Sequence, residues 1–334
     1  GSVSGSTGLT SLIGNASGRF RYNSDEAAER FTTALTAGLN AIYREAISVT
    51  VTTDTKTVTY GDSISLTGTT SGLVNGDAAS YTISNAAYST SNNLKAGSYV
   101  VVGGGPLGLG YSVTATNGTL TVSQKAVTIT GTTTSDRVYN ANRVATLVTT
   151  NSVITNGAAS ANDNKFYTSD DLSLVKTGAA AIFADKNVAN GKAVTVTGFS
   201  LSGADAANYA LVQPTDLTAN ITKADLVVTG ITASNRVYDT TITAVLGGTA
   251  TVSPLSNDVV TVGGTAAGVF ANKNVADGKA ITITGVTISG TDAGNYNLIQ
   301  QTGLTANITK ADLVVSGITA SNRVYDTTIT AVLG

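Results

Sequence analysis

Five tyrosines recur at regular places along this chain of 334 residues. Tyr139, Tyr238 and Tyr325 each follow an arginine by two positions (Arg137, Arg236, Arg323), and Tyr209 and Tyr296 stand 87 residues apart. Aromatic rings at fixed spacing can make a platform on which sugar rings stack, and arginine can read an anionic glycan. Tyr209, Tyr296, Arg137 and Arg236 are therefore the candidate ligand-binding residues, with a glycan as the ligand. A second reading stays beside this one. Evenly spaced tyrosines in a β fold more often cover a core, with the hydroxyl at its edge. Arginine in such a place more often makes an ion pair or a loop contact.

Other chemistry is restricted by what is missing. The chain has no Cys, His, Met or Trp. The usual zinc, copper and iron sites cannot be built without Cys or His, and the commonest general base and strongest nucleophile are absent. Glutamate occurs only at Glu26, Glu29 and Glu45, so a glycosidase pair would have to be two aspartates. No aspartate pair stands in apolar or aromatic sequence that would raise a pKa, and the chain is not expected to be an enzyme. Asp62, Asp77, Asp205 and Asp292 lie in turn-like stretches. They offer oxygen for calcium, but no D-x-D-x-D series is present, and aspartate is ordinary turn chemistry. No cofactor is expected, with calcium left open. Lys223 and Lys310 near Asn220 and Asn307 suggest a side-chain amide crosslink, a remoter idea. Alternating threonines, such as Thr195 with Thr197 and Thr282 with Thr284, read as a solvated sheet face or as a flat sugar-binding face.

The elements that would carry these residues are repeated. Residues 310–334 copy residues 223–247 with one change, Thr229 becoming Ser316. Phe183, Gly191 and Tyr209 return as Phe270, Gly278 and Tyr296. Residues 125–222 are thus an earlier, longer copy of residues 223–309, with extra polar residues near 159–171. A more distant unit spans 48–124, opening with TVTYGD and closing with GYSVTATNGTLTVSQK. Residues 310–334 start a third copy, expected to be part of a longer array. No Pro/Gly linker separates the units, so the last strand of one leads into the first of the next. A stiff string follows, in which each module folds around its own core and neighbours abut.

Within a unit the pattern is that of strands. In GKAITITGVTIS, Ile281 and Ile283 share a face; after Gly285 the phase slips by one, to Val286 and Ile288. A glycine at such a slip marks a bulge or tight turn. Short strands with turn signals every 8–12 residues predict sandwich-like modules. Three in line would span ~100–130 Å. The fold class is an all-β tandem array of small β-sandwich-like modules, after an N-terminal segment, residues 1–47, with one helix. That helix is expected after Ser24 as N-cap, with Ala27, Phe31, Leu35 and Leu39 on one face. GRFRYN before it reads as a strand.

Charge is sparse, with 12% charged residues and a net charge of −2. Nucleic acid is therefore not an expected partner. No apolar run reaches the ~18 residues of a membrane helix.

These motifs resemble a known family. RVYD at 236–239, with NKNVADGKAITITG and SGTDAGNYNL, is similar to the YDG repeat, with Thr240 in place of the glycine that names it. Tyr60-Gly61-Asp62, with GLVNGD and AGSYVV, resembles the MBG repeat. FRYNSDEAAERFTTALTAGLNAIYRE is similar to the segment that joins a β-helix to such repeats in filamentous-haemagglutinin-type exoproteins. The resemblance implies a large adhesin on the bacterial surface, secreted through an outer-membrane two-partner transporter. Residues 1–47 would be the end of an upstream β-helix, and the repeats a stalk acting in attachment, aggregation or biofilm matrix. Exopolysaccharide or surface glycans are the implied partners, and lateral self-association through exposed strands is a further one. A carbohydrate-binding array is the alternative function.

Overall fold

A computed structural model describes residues 8–25, 27–106 and 108–333. The fold is all-β: among the described residues there are many short strands in several small sheets, two single-turn 3₁₀ helices and one α-helix, Leu9–Ile13. The chain forms two compact units. One holds Gly1–Thr133, Leu147–Ala181 and Thr195–Leu217; the other holds Thr134–Thr146, Ile182–Val194 and Thr218–Gly334. The division therefore runs through the middle of residues 125–222 and not between sequence repeats.

Each repeat uses one pairing scheme. Its two opening strands lie parallel to its two closing strands. In the first unit Ser48–Thr53 pairs parallel with Ser112–Thr116, and Lys56–Thr59 parallel with Gly118–Ser123. Lys125–Thr130 opens the next repeat, parallel to Tyr209–Val212. In the second unit Arg137–Val138 pairs parallel with Leu217–Thr222, and Ala224–Val227 with Tyr296–Ile299. Arg236–Val237 then pairs with Thr305–Thr309. Parallel neighbours need a long connection. Here the connections are antiparallel hairpins, such as Thr261–Phe270 with Ala276–Ser289. A repeat thus closes only when its last strands arrive.

The predicted phase slip is present. Along Ala276–Ser289 the buried positions are Ile281, Ile283 and then Val286, and the register with Thr261–Phe270 shifts between Gly264 and Ala267. Gly285 sits at φ +88°, and a Cβ there would meet the carbonyl oxygen of Thr265 at 2.3 Å, so only glycine fits.

Two expectations are corrected. Among the described residues of 24–39 no helix forms, and the described α-helix, Leu9–Ile13, lies earlier. The backbone groups a helix would use are bonded elsewhere. Buried Arg21 takes the carbonyls of Thr33 and Ala34 at 3.0 and 2.7 Å, and the amides of Thr32 and Thr33 donate to Gly108 O. Leu35 and Leu39 stay exposed. The strand read in GRFRYN is there as Phe20–Arg21, parallel to Ala41–Ile42, with Tyr43 stacked on Phe20 and Tyr22.

Nor does each repeat close its own core. In the first unit one apolar cluster joins Val58, Tyr60, Leu94, Val101, Leu120 and Val122 to Val127, Leu172 and Tyr209 of the following repeat. A small β module buries too little apolar surface alone, and sharing an interior across the repeat boundary offsets that. The repeat 223–309 does gather a core of its own, with Val228, Ile231, Phe270, Ile281, Ile283 and Ile308 in one cluster.

Candidate functional site

The chemistry of this fold gathers where one repeat meets the next. Three tyrosines occupy the same backbone position. The amide of Tyr60 donates to Ser123 O, that of Tyr139 to Thr222 O and that of Tyr238 to Thr309 O, at 2.8, 2.8 and 2.9 Å. Each tyrosine follows the second opening strand of its repeat and is tied to the end of the last, so its ring lies at the repeat's exit face.

In the first unit the Tyr60 hydroxyl donates to Asp170 Oδ2 at 2.5 Å, and Tyr209 donates to the same oxygen at 2.6 Å. The rings meet edge to face, with centroids 5.3 Å apart. Ser91 N donates to the other carboxylate oxygen at 2.9 Å. In the second unit Tyr139 and Tyr296 both donate to Asp258 Oδ2 at 2.6 Å, with centroids 5.5 Å apart and again edge to face. Here Lys186 holds the other oxygen of Asp258 and reaches Asp292 at 2.8 Å.

Two more contacts recur. Ala96 N donates to Asn208 Oδ1, and Val188 N to Asn295 Oδ1, both at 2.9 Å. Asp205 Oδ2 takes the Thr90 hydroxyl at 2.6 Å and Asp171 N at 3.1 Å; Asp292 Oδ2 takes Val259 N at 2.9 Å. The local sequence explains the set. SGADAANY and SGTDAGNY each make a turn ending in the 3₁₀ helices Ala206–Asn208 and Ala293–Asn295. Asn leaves the turn facing the previous repeat, and Tyr starts the next strand.

Electrostatics follow from this bonding. Burial alone would raise Asp258, but Lys186 and the two phenols outweigh it and hold the carboxyl below its usual range. Asp170 is likewise held down by Ser91, Tyr209 and Tyr60 against its burial. Burial, then the hydrogen bond to the carboxylate, pushes Tyr60, Tyr139 and Tyr296 up to about 12. Each joint is a fixed anion shared by two neutral phenols, joined in the second unit by the Lys186 cation.

The four candidate glycan residues divide. Tyr209 and Tyr296 are each 3% exposed and belong to the joints. A sugar platform needs an open ring face, which neither ring presents. Arg137 and Arg236 lie elsewhere, over the rings of Phe183 and Phe270 at 5.2 and 5.4 Å. Arg236 also pairs with Asp239 and bonds Thr241 O. In the sequence Asn140 stands where the later copy has Asp239, and among the described residues the Arg137 guanidinium bonds Asn142 O. Among the described residues no group of acidic side chains is arranged to hold a metal ion. Asp62 and Asp77 serve turn and tyrosine hydrogen bonds.

Asp170, Asp258, Lys186, Asn208 and Asn295 were not singled out from sequence. The recurring Asn-Tyr pair was the usable signal. The aspartate was hidden by a shift of one residue, because the repeat step aligns Asp258 with Asp171 while the fold aligns it with Asp170. The extra residues near 159–171 do more than loop out. They supply Asp163, which pairs at 2.7 Å with the fully buried Lys125 amine.

Residues 123–217 and 222–303 match the YDG domain, and together they make up more than half of the chain. The chain belongs to the YDG domain family. Residues 49–121 are similar to the MBG domain of the YGX type. Both are repeat-type domains found in adhesin-like proteins. No curated protein matches the chain. In YDG terms, the tyrosine that names each repeat is the exit-face tyrosine of the joint. Tyr60 plays the same part in the MBG domain, so the first unit contains an MBG–YDG joint and the second a YDG–YDG joint. The position of the naming glycine has positive φ in each YDG copy, at Ala141 (63°), Thr240 (70°) and Thr327 (63°).

Proposed function

We propose that this chain is part of the extracellular stalk of a large secreted bacterial adhesin of the filamentous-haemagglutinin type. Its repeats hold a binding region away from the cell surface. The observation that carries this reading is the joint. A buried carboxylate shared by two tyrosines, one from each side, fastens successive repeats with no linker between them, as a load-bearing spacer requires. Two joints of one design indicate that length grows by copying. The parallel pairing of Phe20–Arg21 with Ala41–Ile42 supports residues 1–47 as a continuation of a β-helix, the part through which two-partner export would begin. The reading includes no catalysis; the joint carboxylates Asp170 and Asp258 are each taken up by two phenols.

Small-angle scattering tests it. The chain is expected to show a maximum dimension of ~100 Å or more, from the rise per residue of its strands, and to keep it when salt is raised. A compact particle, or one that lengthens with salt as a hinged chain would, argues against a stalk.

A further inference from the structure

The YDG repeat 223–309 carries an exit face built like the two that are engaged. Tyr238 occupies the backbone position of Tyr60 and Tyr139. Tyr60 and Tyr139 are 0% and 2% exposed, whereas Tyr238 is half-buried. Lys273, Asn274 and Val275 correspond to Lys186, Asn187 and Val188, in the matching stretches ADKNVANGK and ANKNVADGK. Lys186 binds two carboxylates and Val188 N binds Asn295. Lys273 is exposed, and among the described residues no carboxylate lies within ion-pair distance of it. Among those residues no side chain accepts from Val275 N, and Val275 is 43% exposed. A cavity of about 530 Å³ opens here, lined by Tyr238, Asn274, Val275 and residues 310–313.

We infer that this face is a docking site for a further YDG repeat, one presenting an aspartate pair, an asparagine and a tyrosine in the arrangement of Asp258, Asp292, Asn295 and Tyr296. The charge fits: an exposed lysine meets two carboxylates, as Lys186 does. The contact continues an interface used twice already in this chain. Both such sets in the chain, Asp170 with Asn208 and Tyr209, and Asp258 with Asn295 and Tyr296, are engaged in their own joints. The occupant is therefore an additional repeat. The inference stands whether or not the array is a stalk.

The test is to join a second copy of residues 248–309 after Gly334, which completes a third repeat, and to compare amide exchange at Val275 in the original and extended chains. Exchange there is expected to slow at least ~10-fold on extension, as for an amide that gains a buried acceptor. The slowing should disappear when the appended counterpart of Asn295 is changed to Ala, and weaken in Lys273→Gln. Circular dichroism confirms that these variants remain folded. Equal exchange at Val275 in the two chains overturns the inference. So does protection of Val275 in the original chain that grows with concentration, which would make a second copy the occupant.

Discussion

The hydroxyls of Tyr139 and Tyr296 donate to one and the same oxygen, Oδ2 of Asp258, each at 2.6 Å. The two tyrosines come from consecutive repeats, so this single atom ties them together. Asp258 is contributed by the later repeat, Lys186 by the earlier one. Removing Asp258 takes the shared acceptor from both phenols, whereas removing one phenol leaves Asp258 with the other and with Lys186.

That coupling sets unequal costs. Tyr139→Phe deletes one hydrogen bond to a charged group and should cost about 1.5–3 kcal/mol. Asp258→Ala strands two phenols and leaves the Lys186 ammonium with Asp292 alone, and should cost more, about 3–5 kcal/mol. Urea unfolding followed by circular dichroism measures both. If the joint matters as described, Tyr139→Phe should add almost nothing in the Asp258→Ala background.

Stability should be flat across neutral pH and fall at both ends. Asp170, Asp258 and Asp292 are depressed in the fold. Their contribution is complete above the unfolded carboxylate value of about 4 and is lost as pH drops through their lower folded values. Tyr60, Tyr139 and Tyr296 are raised to about 12. Their contribution is complete below the unfolded phenol value of about 10 and is lost as pH rises toward 12. With no histidine in the chain, nothing of this kind titrates between. Melting temperature from pH 5 to 9 should vary little, and a midpoint near pH 6 or 7 would contradict the assignment.

Thr240 holds φ at +70°, where a β-branched residue pays about 1–2 kcal/mol that glycine does not. Glycine gives back part of this through the freer unfolded chain. Thr240→Gly should therefore stabilise the second unit by about 1 kcal/mol, read as a higher urea midpoint. Thr232→Gly, within the strand Thr229–Ser234, should do the opposite.

Trypsin should distinguish two copies of one sequence. Arg236 is 9% exposed and paired in its repeat. Arg323, in the same local sequence, lies in a stretch where Val324 and Tyr325 are 89% and 86% exposed. Cleavage after Arg323 should outrun cleavage after Arg236 by at least ~10-fold, since cutting requires local opening. Comparable rates would mean that residues 310–333 are as well packed as residues 223–246.

Much was legible in the sequence because it is local. Alternation of Ile281 and Ile283 with Thr282 and Thr284, and the slip at Gly285, follow from the two-residue period of a strand. The Asn-Tyr turns and the naming tyrosines were visible as recurrences. The helix after Ser24 was misread because helical spacing says nothing of a buried Arg21 that binds the carbonyls of Thr33 and Ala34. The joints were not visible because Asp170 and Tyr60 are far apart in the chain, and no period connects them. The tyrosine platform read from Tyr209 and Tyr296 faces a neighbouring repeat, a direction that spacing does not encode.

Residues 223–247 and 310–334 draw the line between the two. Their sequence alone determined strand-forming alternation, the Arg-Asp pair three residues apart, which forms in both copies, and the positive φ after Tyr-Asp. Whether the stretch becomes sheet was decided by tertiary structure. In the first copy Ala224–Val227 and Arg236–Val237 pair with closing strands that arrive some seventy residues later, and Leu226 and Ile231 are buried. In the second copy, among the described residues, no such strands lie against it; the bridge Ala320↔Leu333 forms, and Leu313 and Ile318 are exposed. A parallel strand takes its hydrogen bonds and its dry face from distant residues, and near-identical sequence cannot supply them.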